Sequence, residues 1–170
     1  PTRKPEEAAV AYVDVDKDVP DAKAALDGAR AILLERWSED ATLIGALRDW
    51  MRDVGLVRSR VAEGKETEGA KYRDYFDHCE PLSSIPSHRL LALFRGRREE
   101  FLQLDLQPGE DVEAGNELAS ARVAAHAGVA DQGRAADRWL MDACRLAWRA
   151  RLHTSLQVEQ FLQARERADE

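Results

Sequence analysis

The sequence has 170 residues, of which 44% are hydrophobic and 34% are charged, with a formal net charge of −7 and a pI of about 5.2. This length suits one domain with a buried core, and the composition is that of a globular chain with a heavily charged exterior. The negative net charge argues against a protein whose whole surface grips nucleic acid, so any such contact must use a local basic patch.

Cysteine usage and hydropathy favour a cytoplasmic protein without membrane partners. Cys79 and Cys144 lie far apart and form no CxxC pair, which fits a reducing compartment. No apolar run approaches about 18 residues, and the N-terminal stretch lacks the core of a signal peptide. Because the sequence starts without Met and stops in a charged run, we expect it to be a fragment of a longer multidomain protein.

The first third of the sequence predicts helices. Residues 4–13 are typical of the last turns of a helix and are followed by a breaker that ends at Pro20. Apolar residues recur at helical spacing over Asp21–Trp37. A further helix is predicted over Glu39–Val54, because its apolar side chains share one face and Gly55 supplies a stop signal.

Two segments change to the alternation of a half-buried strand, near 56–62 and 101–106. We expect them to form a small two-stranded antiparallel β ribbon that leans on the helices, since an isolated ribbon is only marginally stable. In this ribbon Arg58 and Arg60 would face Asp105 across the strand pair. The sequence separation of the two segments leaves their register open.

Helical patterns return after the second strand. One helix is predicted over 112–128 and another from Ala135 to about Glu166, with a bend near Thr154. The predicted fold is therefore a mostly α, multi-helical domain of about six to eight helices with the small β ribbon. We expect a single domain over 1–170, made of helices in 1–55, the ribbon and a helix in 56–107, and helices in 108–170.

The stretch Asp74–Arg97 is rich in residue types that enzymes use. A hydrolase or metalloenzyme built here would use four of them, namely Asp77, His78, Cys79 and His88. The spacing argues against a metal, since no second Cys or His stands at the short spacing that zinc sites use. The stretch also lacks the glycine-rich turn that presents a nucleophile. The simpler interpretation is a turn and a helix that fold the chain, so we predict no catalytic residue, no metal, no cofactor and no enzymatic activity.

One basic pattern has a functional interpretation. Four arginines follow one another at intervals of four, seven and four residues, which on a continuous helix places them within about 60° of arc. The rest of that helix is nearly all apolar, so it would be buried except for this arginine stripe. The guanidinium groups suit phosphate or an acidic partner, and internal salt bridges to the 32 acidic residues are the alternative that the abundance of acid favours. The candidate contacts to nucleic acid or a partner are Arg134, Arg138, Arg145 and Arg149.

Four segments together resemble a known family, the bacterial transcription accessory proteins called Tex. The resemblance covers nearly the whole chain, and the second and third segments are the most specific. The four segments are "DGARAILLERWSEDATLIGALR", "EGKETEGAKYRDYFDHCEPL", "IPSHRLLALFRGR" and "DQGRAADRWL".

The resemblance implies a role in transcription for a parent protein several times longer than this chain. Members of the family carry an N-terminal helical region, an RNase H-like domain, helix-hairpin-helix elements and a C-terminal OB-fold domain that binds RNA. This sequence resembles only the helical region before the RNase H-like domain, and the family's nucleic-acid binding is attributed largely to the C-terminal domains.

The resemblance therefore implies a helical scaffold that packs against neighbouring domains of its own chain. Its further partners would be nucleic acid and the transcription machinery, reached through the parent. The alternative is a protein-interaction or purely structural module with no nucleic-acid contact of its own. Apolar surface left open by missing neighbours also predicts self-association of the fragment.

Overall fold

A computed structural model describes all residues from 1 to 170, which form two compact units. The first unit comprises Pro1–Leu47 and Glu117–His153, and the second comprises Arg48–Asn116 and Thr154–Glu170. Each unit thus combines segments that are distant in the sequence. The single domain over 1–170 stays a prediction.

Seven α-helices and three β-strands make up most of the structure, which confirms the mostly α fold. The helices are α1 (Pro5–Ala9), α2 (Ala22–Glu39), α3 (Ala41–Val54), α4 (Ser87–Arg98), α5 (Val112–Ala127), α6 (Asp137–Ala147) and α7 (His153–Asp169). The strands are β1 (Leu56–Val61), β2 (Asp77–Pro81) and β3 (Leu102–Gln107). None of the helices combines the length and the apolar character needed to cross a bilayer.

Two aspartates begin the long helices of the first unit. Asp21 Oδ1 accepts a hydrogen bond from the backbone N–H of Ala24 at 2.8 Å, and Asp40 Oδ1 accepts one from Leu43 at 3.0 Å. Both carboxylates satisfy N–H groups that have no partner inside the helix. The helix α2 packs against α1 and α6. The buried apolar side chains of this unit are Ala9, Leu34, Trp37, Leu43, Leu47, Ala119, Val123, Ala124, Ala143, Cys144, Ala147, Trp148 and Leu152.

The second unit contains an antiparallel sheet with strand order β2-β1-β3. The predicted pairing of β1 with β3 is confirmed, and the register places Arg58 opposite Asp105. The prediction of only two strands is wrong, because β2 pairs with the other side of β1. β2 has five residues, ends in Pro81 and shows no alternation of burial. Its sequence therefore lacks the period-two signal by which a strand is recognised.

The side chains of β1 make their polar contacts with the segment around β2. Arg58 Nη2 lies 3.1 Å from Asp77 Oδ1. Arg58 therefore forms its ion pair with β2 and not with Asp105 of β3. Ser59 is fully buried and donates from Oγ to the carbonyl oxygen of Tyr75 at 2.6 Å. These contacts fix β2 against the central strand.

The helices α4 and α7 supply the rest of the core of the second unit. Phe94 of α4 meets Phe161 of α7 edge to face, with ring centroids 5.8 Å apart. Gly96 is required where α4 packs on β3, because a Cβ at this position would collide with the side chain of Leu102. The buried apolar side chains of this unit are Met51, Val57, Tyr72, Leu82, Leu90, Leu93, Phe94, Leu102, Leu104, Leu106, Leu156, Phe161 and Ala164.

The long helix predicted from Ala135 begins later than expected and is not regular throughout. α6 begins at Asp137, and a π-helical turn over Trp148–Leu152 separates it from α7. A π turn widens the helical spiral, so angular positions expected for a regular helix do not extend past Ala147. This irregularity falls a few residues before the predicted bend near Thr154, and it changes how the arginine stripe is arranged.

Candidate nucleic-acid interface

Arg134, the first member of the arginine stripe, lies in the turn before α6 and binds Asp137. Its Nε lies 3.1 Å from both carboxylate oxygens of Asp137. The same carboxylate accepts the backbone N–H groups of Gln132 at 2.9 Å and of Arg134 at 3.0 Å. Asp137 is fully buried, and the Arg134 guanidinium together with these backbone donors lowers the pKa of its carboxyl. Arg134 therefore anchors the start of α6 and does not lie on the helix as predicted.

Arg145 is the second member of the stripe with internal partners. Its Nε lies 3.1 Å from Glu117 Oε1, and its Nη1 lies 2.8 Å from Asp142 Oδ1. The two acidic side chains are 62% and 58% exposed. Because both ion pairs face water, each contributes little to stability, about 0–1 kcal/mol. The charge of Arg145 is nevertheless paired within the protein, with the carboxylates of Glu117 and Asp142.

Arg138 and Arg149 are exposed and form no ion pair. They project from a helix whose other side is fully buried at Ala143, Cys144 and Ala147. Eleven residues separate the two arginines, which corresponds to about 16 Å along a regular α-helix. The structure thus divides the arginine stripe into two arginines with internal partners and two whose guanidinium donors are uncommitted.

In the stretch Asp74–Arg97, the carboxylate of Glu80 in β2 is hydrogen-bonded to two side chains, those of Arg89 and His78. Arg89 donates to it through both Nε at 2.6 Å and Nη2 at 3.0 Å. His78 Nε2 lies 2.9 Å from Glu80 Oε1. Burial opposes ionisation of Glu80, but the hydrogen bonds from Arg89 and His78 outweigh it and lower the pKa of the carboxyl. This pairing ties β2 to the first turns of α4.

The four side chains of the hydrolase or metalloenzyme hypothesis have separate surroundings. Asp77 pairs with Arg58, and His88 is exposed in the first turn of α4. His78 and Cys79 are adjacent in a strand, so they point to opposite faces of the sheet. Burial raises the pKa of the Cys79 thiol, which disfavours the reactive thiolate. No group of three or more His, Cys, Asp or Glu side chains is placed to hold a metal ion.

Two carboxylates that organise these regions, Asp137 and Glu80, escaped the sequence analysis. Asp137 carried a local signal, since it stands three residues after Arg134 at the start of a helix, where an acid accepts free N–H groups. Glu80 carried no such signal. Its partner Arg89 is nine residues away and reaches it only because the turn after β2 brings α4 back.

An apolar groove of about 790 Å³ in the first unit was also missed. Gly28, Ala29 and Ile32 of α2 form one wall, and Trp139 of α6 contributes to another. Ile32 is 57% exposed and Tyr12, also in the lining, is 74% exposed. The sequence signal for this groove was a row of small residues on α2, which leave space beside the helix. They are Ala24, Ala25, Gly28 and Ala29.

The whole chain, residues 1–170, matches a family model described as Tex central region-like. It is 45% identical over 172 residues to the protein YhgF of Escherichia coli (strain K12), a match that covers 100% of this chain and 22% of that protein. It is 45% identical over 166 residues to the transcriptional accessory protein Tex of Neisseria gonorrhoeae, covering 96% and 21%. It is 41% identical over 175 residues to the protein tex of Bordetella pertussis, covering 99% and 22%. The chain therefore spans about a fifth of the length of these curated relatives.

Proposed function

This chain belongs to the Tex family, as its central region, and from that premise we propose that it is a helical scaffold of a longer transcription accessory protein that contacts nucleic acid through Arg138 and Arg149. The role in transcription is proposed from the similarity to the gonococcal relative, which is named a transcriptional accessory protein. Bacterial transcription takes place in the cytoplasm, which is the location we assign. The proposal gives this region no catalytic reaction and no cofactor.

The observation that carries the proposal is the lack of an acidic partner for Arg138 and Arg149. Other exposed arginines of this chain also form no ion pair, so the comparison is made within the arginine stripe. There Arg145 pairs with two carboxylates, whereas Arg138 and Arg149, on either side of it in the sequence, pair with none. Their planar donor arrays suit the oxygens of a phosphate group.

The apolar groove supports the scaffold part of the proposal. Its lining is largely apolar, and the exposed side chains of Ile32 and Tyr12 are available to contact another polypeptide segment. We assign its occupant to the rest of the parent polypeptide, since this chain corresponds to 22% of the YhgF relative. Light scattering of the 170-residue chain tests the predicted self-association through this exposed apolar surface. We expect self-association that grows with concentration and is weakened by Ile32→Glu, and a strict monomer at high concentration would contradict it.

Fluorescence anisotropy tests the nucleic-acid contact. The chain is titrated against labelled single-stranded RNA and duplex DNA of equal length, at low and at moderate salt. We expect Arg138→Glu/Arg149→Glu to lower the affinity at least about tenfold and to reduce the salt slope by about 2, because two phosphate contacts are lost. The matched control is Lys4→Glu/Arg36→Glu, which makes the same change in net charge at exposed residues without ion pairs.

A second candidate function is a structural or protein-interaction module without nucleic-acid contact. The ion pairs of Arg134 and Arg145 with the protein's own carboxylates favour it. If the wild-type chain binds neither RNA nor DNA at low salt, this second function replaces the first. Equal losses in the Arg138/Arg149 variant and in the control would also reject the proposed contact, since they would report net charge alone.

A further inference from the structure

The last turn of α4, in the second compact unit, holds three exposed arginines that form no ion pair. They are Arg95, Arg97 and Arg98. The sequence analysis of the arginine stripe did not include them, and they lie in a different unit from Arg138 and Arg149. In a chain with a net charge of −7, three neighbouring cations without a carboxylate partner form a local surface of opposite sign.

The acidic residues that follow α4 form no ion pair with the three arginines, although the charge of Arg95 adds to the hydrogen bonds from Lys71 and Tyr72 that lower the pKa of the Glu99 carboxyl. Glu99 accepts the Tyr72 hydroxyl at 2.7 Å, and its Oε2 also lies 2.8 Å from Lys71 Nζ. Its carboxylate is therefore committed to the 3-10 turn Ala70–Tyr75. Glu100, where the backbone takes a positive φ of 65°, forms no ion pair with the arginines.

Arg97 is held in place while its donors stay available. Its guanidinium carbon lies 5.0 Å from the ring centroid of Phe94 and 5.5 Å from that of Phe161. The two rings are inclined at 72° to each other, so cation–π contacts on two sides hold the guanidinium in place, and it forms no ion pair. Arg165 of α7 adds a further positive charge nearby, since burial and the charge of Arg165 together lower the pKa of Arg97. The nearest carboxylate to Arg165 is Asp169, at 3.9 Å.

The helix dipole explains part of this arrangement. Cations at the C-terminal end of a helix are stabilised by the unpaired carbonyl groups there, by about 0.3–1 kcal/mol each. That interaction needs positive charge and does not need the forked donors or the stacked geometry of Arg97. The dipole therefore accounts for basic residues at this position and leaves their hydrogen-bonding capacity unused.

The character of α4 identifies the kind of partner. Its exposed residues are Ser87, His88 and the three arginines, while its apolar residues are buried or, at Leu91 and Ala92, only partly exposed. Protein partners bury an apolar centre with a polar rim, whereas nucleic acids are bound largely through phosphate charges. We propose that Arg95, Arg97 and Arg98 at the end of α4 are phosphate-backbone contacts for nucleic acid, with Arg97 bidentate to one phosphate.

This contact goes beyond the proposed function and does not depend on it, because it uses other residues in the other unit. The test is anisotropy of the 170-residue chain with labelled single-stranded RNA and duplex DNA at low salt. We expect Arg95→Glu/Arg98→Glu to lower the affinity at least about tenfold and the salt slope by about 2. Lys4→Glu/Arg36→Glu is the control with equal change in charge.

Arg97→Lys is the more specific variant, because it keeps the positive charge and removes the paired N–H donors of the guanidinium group. We expect it to lower the affinity about three- to tenfold while the salt slope stays unchanged, since a lysine is a point charge that cannot bind a phosphate bidentately. If a reversal variant fails to fold by circular dichroism, Arg95→Gln/Arg98→Gln takes its place and is expected to show a smaller loss of the same sign.

The outcomes separate this inference from the proposed function. If Arg95→Glu/Arg98→Glu binds like the control, the inference is overturned, whatever Arg138→Glu/Arg149→Glu does. If only the α4 variant loses binding, the inference stands and the contact proposed for Arg138 and Arg149 is rejected. A wild-type chain that binds no nucleic acid overturns both. Equal competition by polyglutamate of matched charge would reassign the α4 cluster to acidic partners in general and overturn the nucleic-acid assignment.

Discussion

The β2–α4 region, residues 77–98, and the α6 region, residues 134–149, both concentrate polar side chains and use them differently. In the β2–α4 region Glu80 is hydrogen-bonded to Arg89 and His78, and Asp77 pairs with Arg58 of the neighbouring strand. In the α6 region two of the four arginines of the stripe have acidic partners and the other two have none.

In a chain so rich in charged residues, residue type alone therefore does not locate a functional surface. A histidine or an arginine that already has a partner contributes to folding, and its donors are occupied. A cation that the fold leaves unpaired among 32 acidic residues is the better candidate for an external contact.

Each region contains one cysteine, and their reactivities give the largest expected difference. Cys144 of α6 is fully buried, and burial raises the pKa of its thiol to about 11. Cys79 of β2 is only half-buried. We expect a small thiol reagent to label Cys79 on the order of 100-fold faster than Cys144, which reacts only when the structure opens. The variants Cys79→Ser and Cys144→Ala isolate the two rates, and equal rates would show that α6 opens as easily as β2.

Asp137 should carry the largest stability effect of the charged residues in the two regions. Asp137→Ala leaves the backbone N–H groups of Gln132 and Arg134 and the Arg134 side chain without their acceptor. We expect the Tm to fall by on the order of 5 °C, because buried donors are costly to leave unpaired. Asp142→Ala, at a largely exposed carboxylate of the same helix, is the control and should change the Tm by less than about 1 °C.

Glu80→Gln tests the hydrogen-bonded carboxylate of the β2–α4 region. The amide cannot accept from Arg89 and His78 as a carboxylate does, so the variant should lose about 1–2 kcal/mol of unfolding free energy in urea. Asp77→Asn is its control on the same strand, because the Asp77 side chain is 83% exposed and its pair with Arg58 should contribute about 0.5 kcal/mol or less. Equal losses in the two variants would mean that the hydrogen bonds of Glu80 add no stability beyond that of the exposed pair.

The acid dependence of stability should be a smaller effect with a defined sign. Hydrogen bonds lower the pKa of both Asp137 and Glu80 in the folded protein. Their contribution to stability is therefore present above the unfolded values, about 3.9 and 4.3, and is lost as the pH falls through the lowered folded values. We expect the Tm to decline below about pH 5, less steeply in Asp137→Asn than in the wild type. An unchanged slope in this variant would contradict the role given to Asp137.

Sequence patterns predicted most helices and the pairing of β1 with β3, because each of these elements has a periodic apolar face. The strand β2 was out of reach, since its five residues show no alternation and it exists only because β1 offers an open edge. The start of α6 was misplaced by two residues, because Asp137 sets it through contacts that lie outside the apolar period.

The candidate site was predictable in composition and not in its pairing. The spacing of the arginine stripe marked the right helix, but the division between paired and unpaired members depends on where Glu117 of α5 and Asp142 come to lie. The π turn after Ala147 also has no periodic signal, and it places Arg149 outside the regular helix. Arg97 likewise gains its stacked position only when α7 brings Phe161 beside it.

The smallest expected effect concerns Arg145, and it tests the comparison most directly. Arg145→Gln removes two exposed ion pairs, so its unfolding free energy in urea should change by about 0.5 kcal/mol or less. Its matched partner is Arg138→Gln, which removes the same charge from the same helix without breaking any pair. We expect Arg138→Gln to weaken RNA binding more than Arg145→Gln, because the donors of Arg145 already serve Glu117 and Asp142. Equal losses of RNA affinity in the two variants would mean that Arg145 gives up its exposed ion pairs to bind phosphate. An internal carboxylate partner would then not determine which arginines can bind RNA.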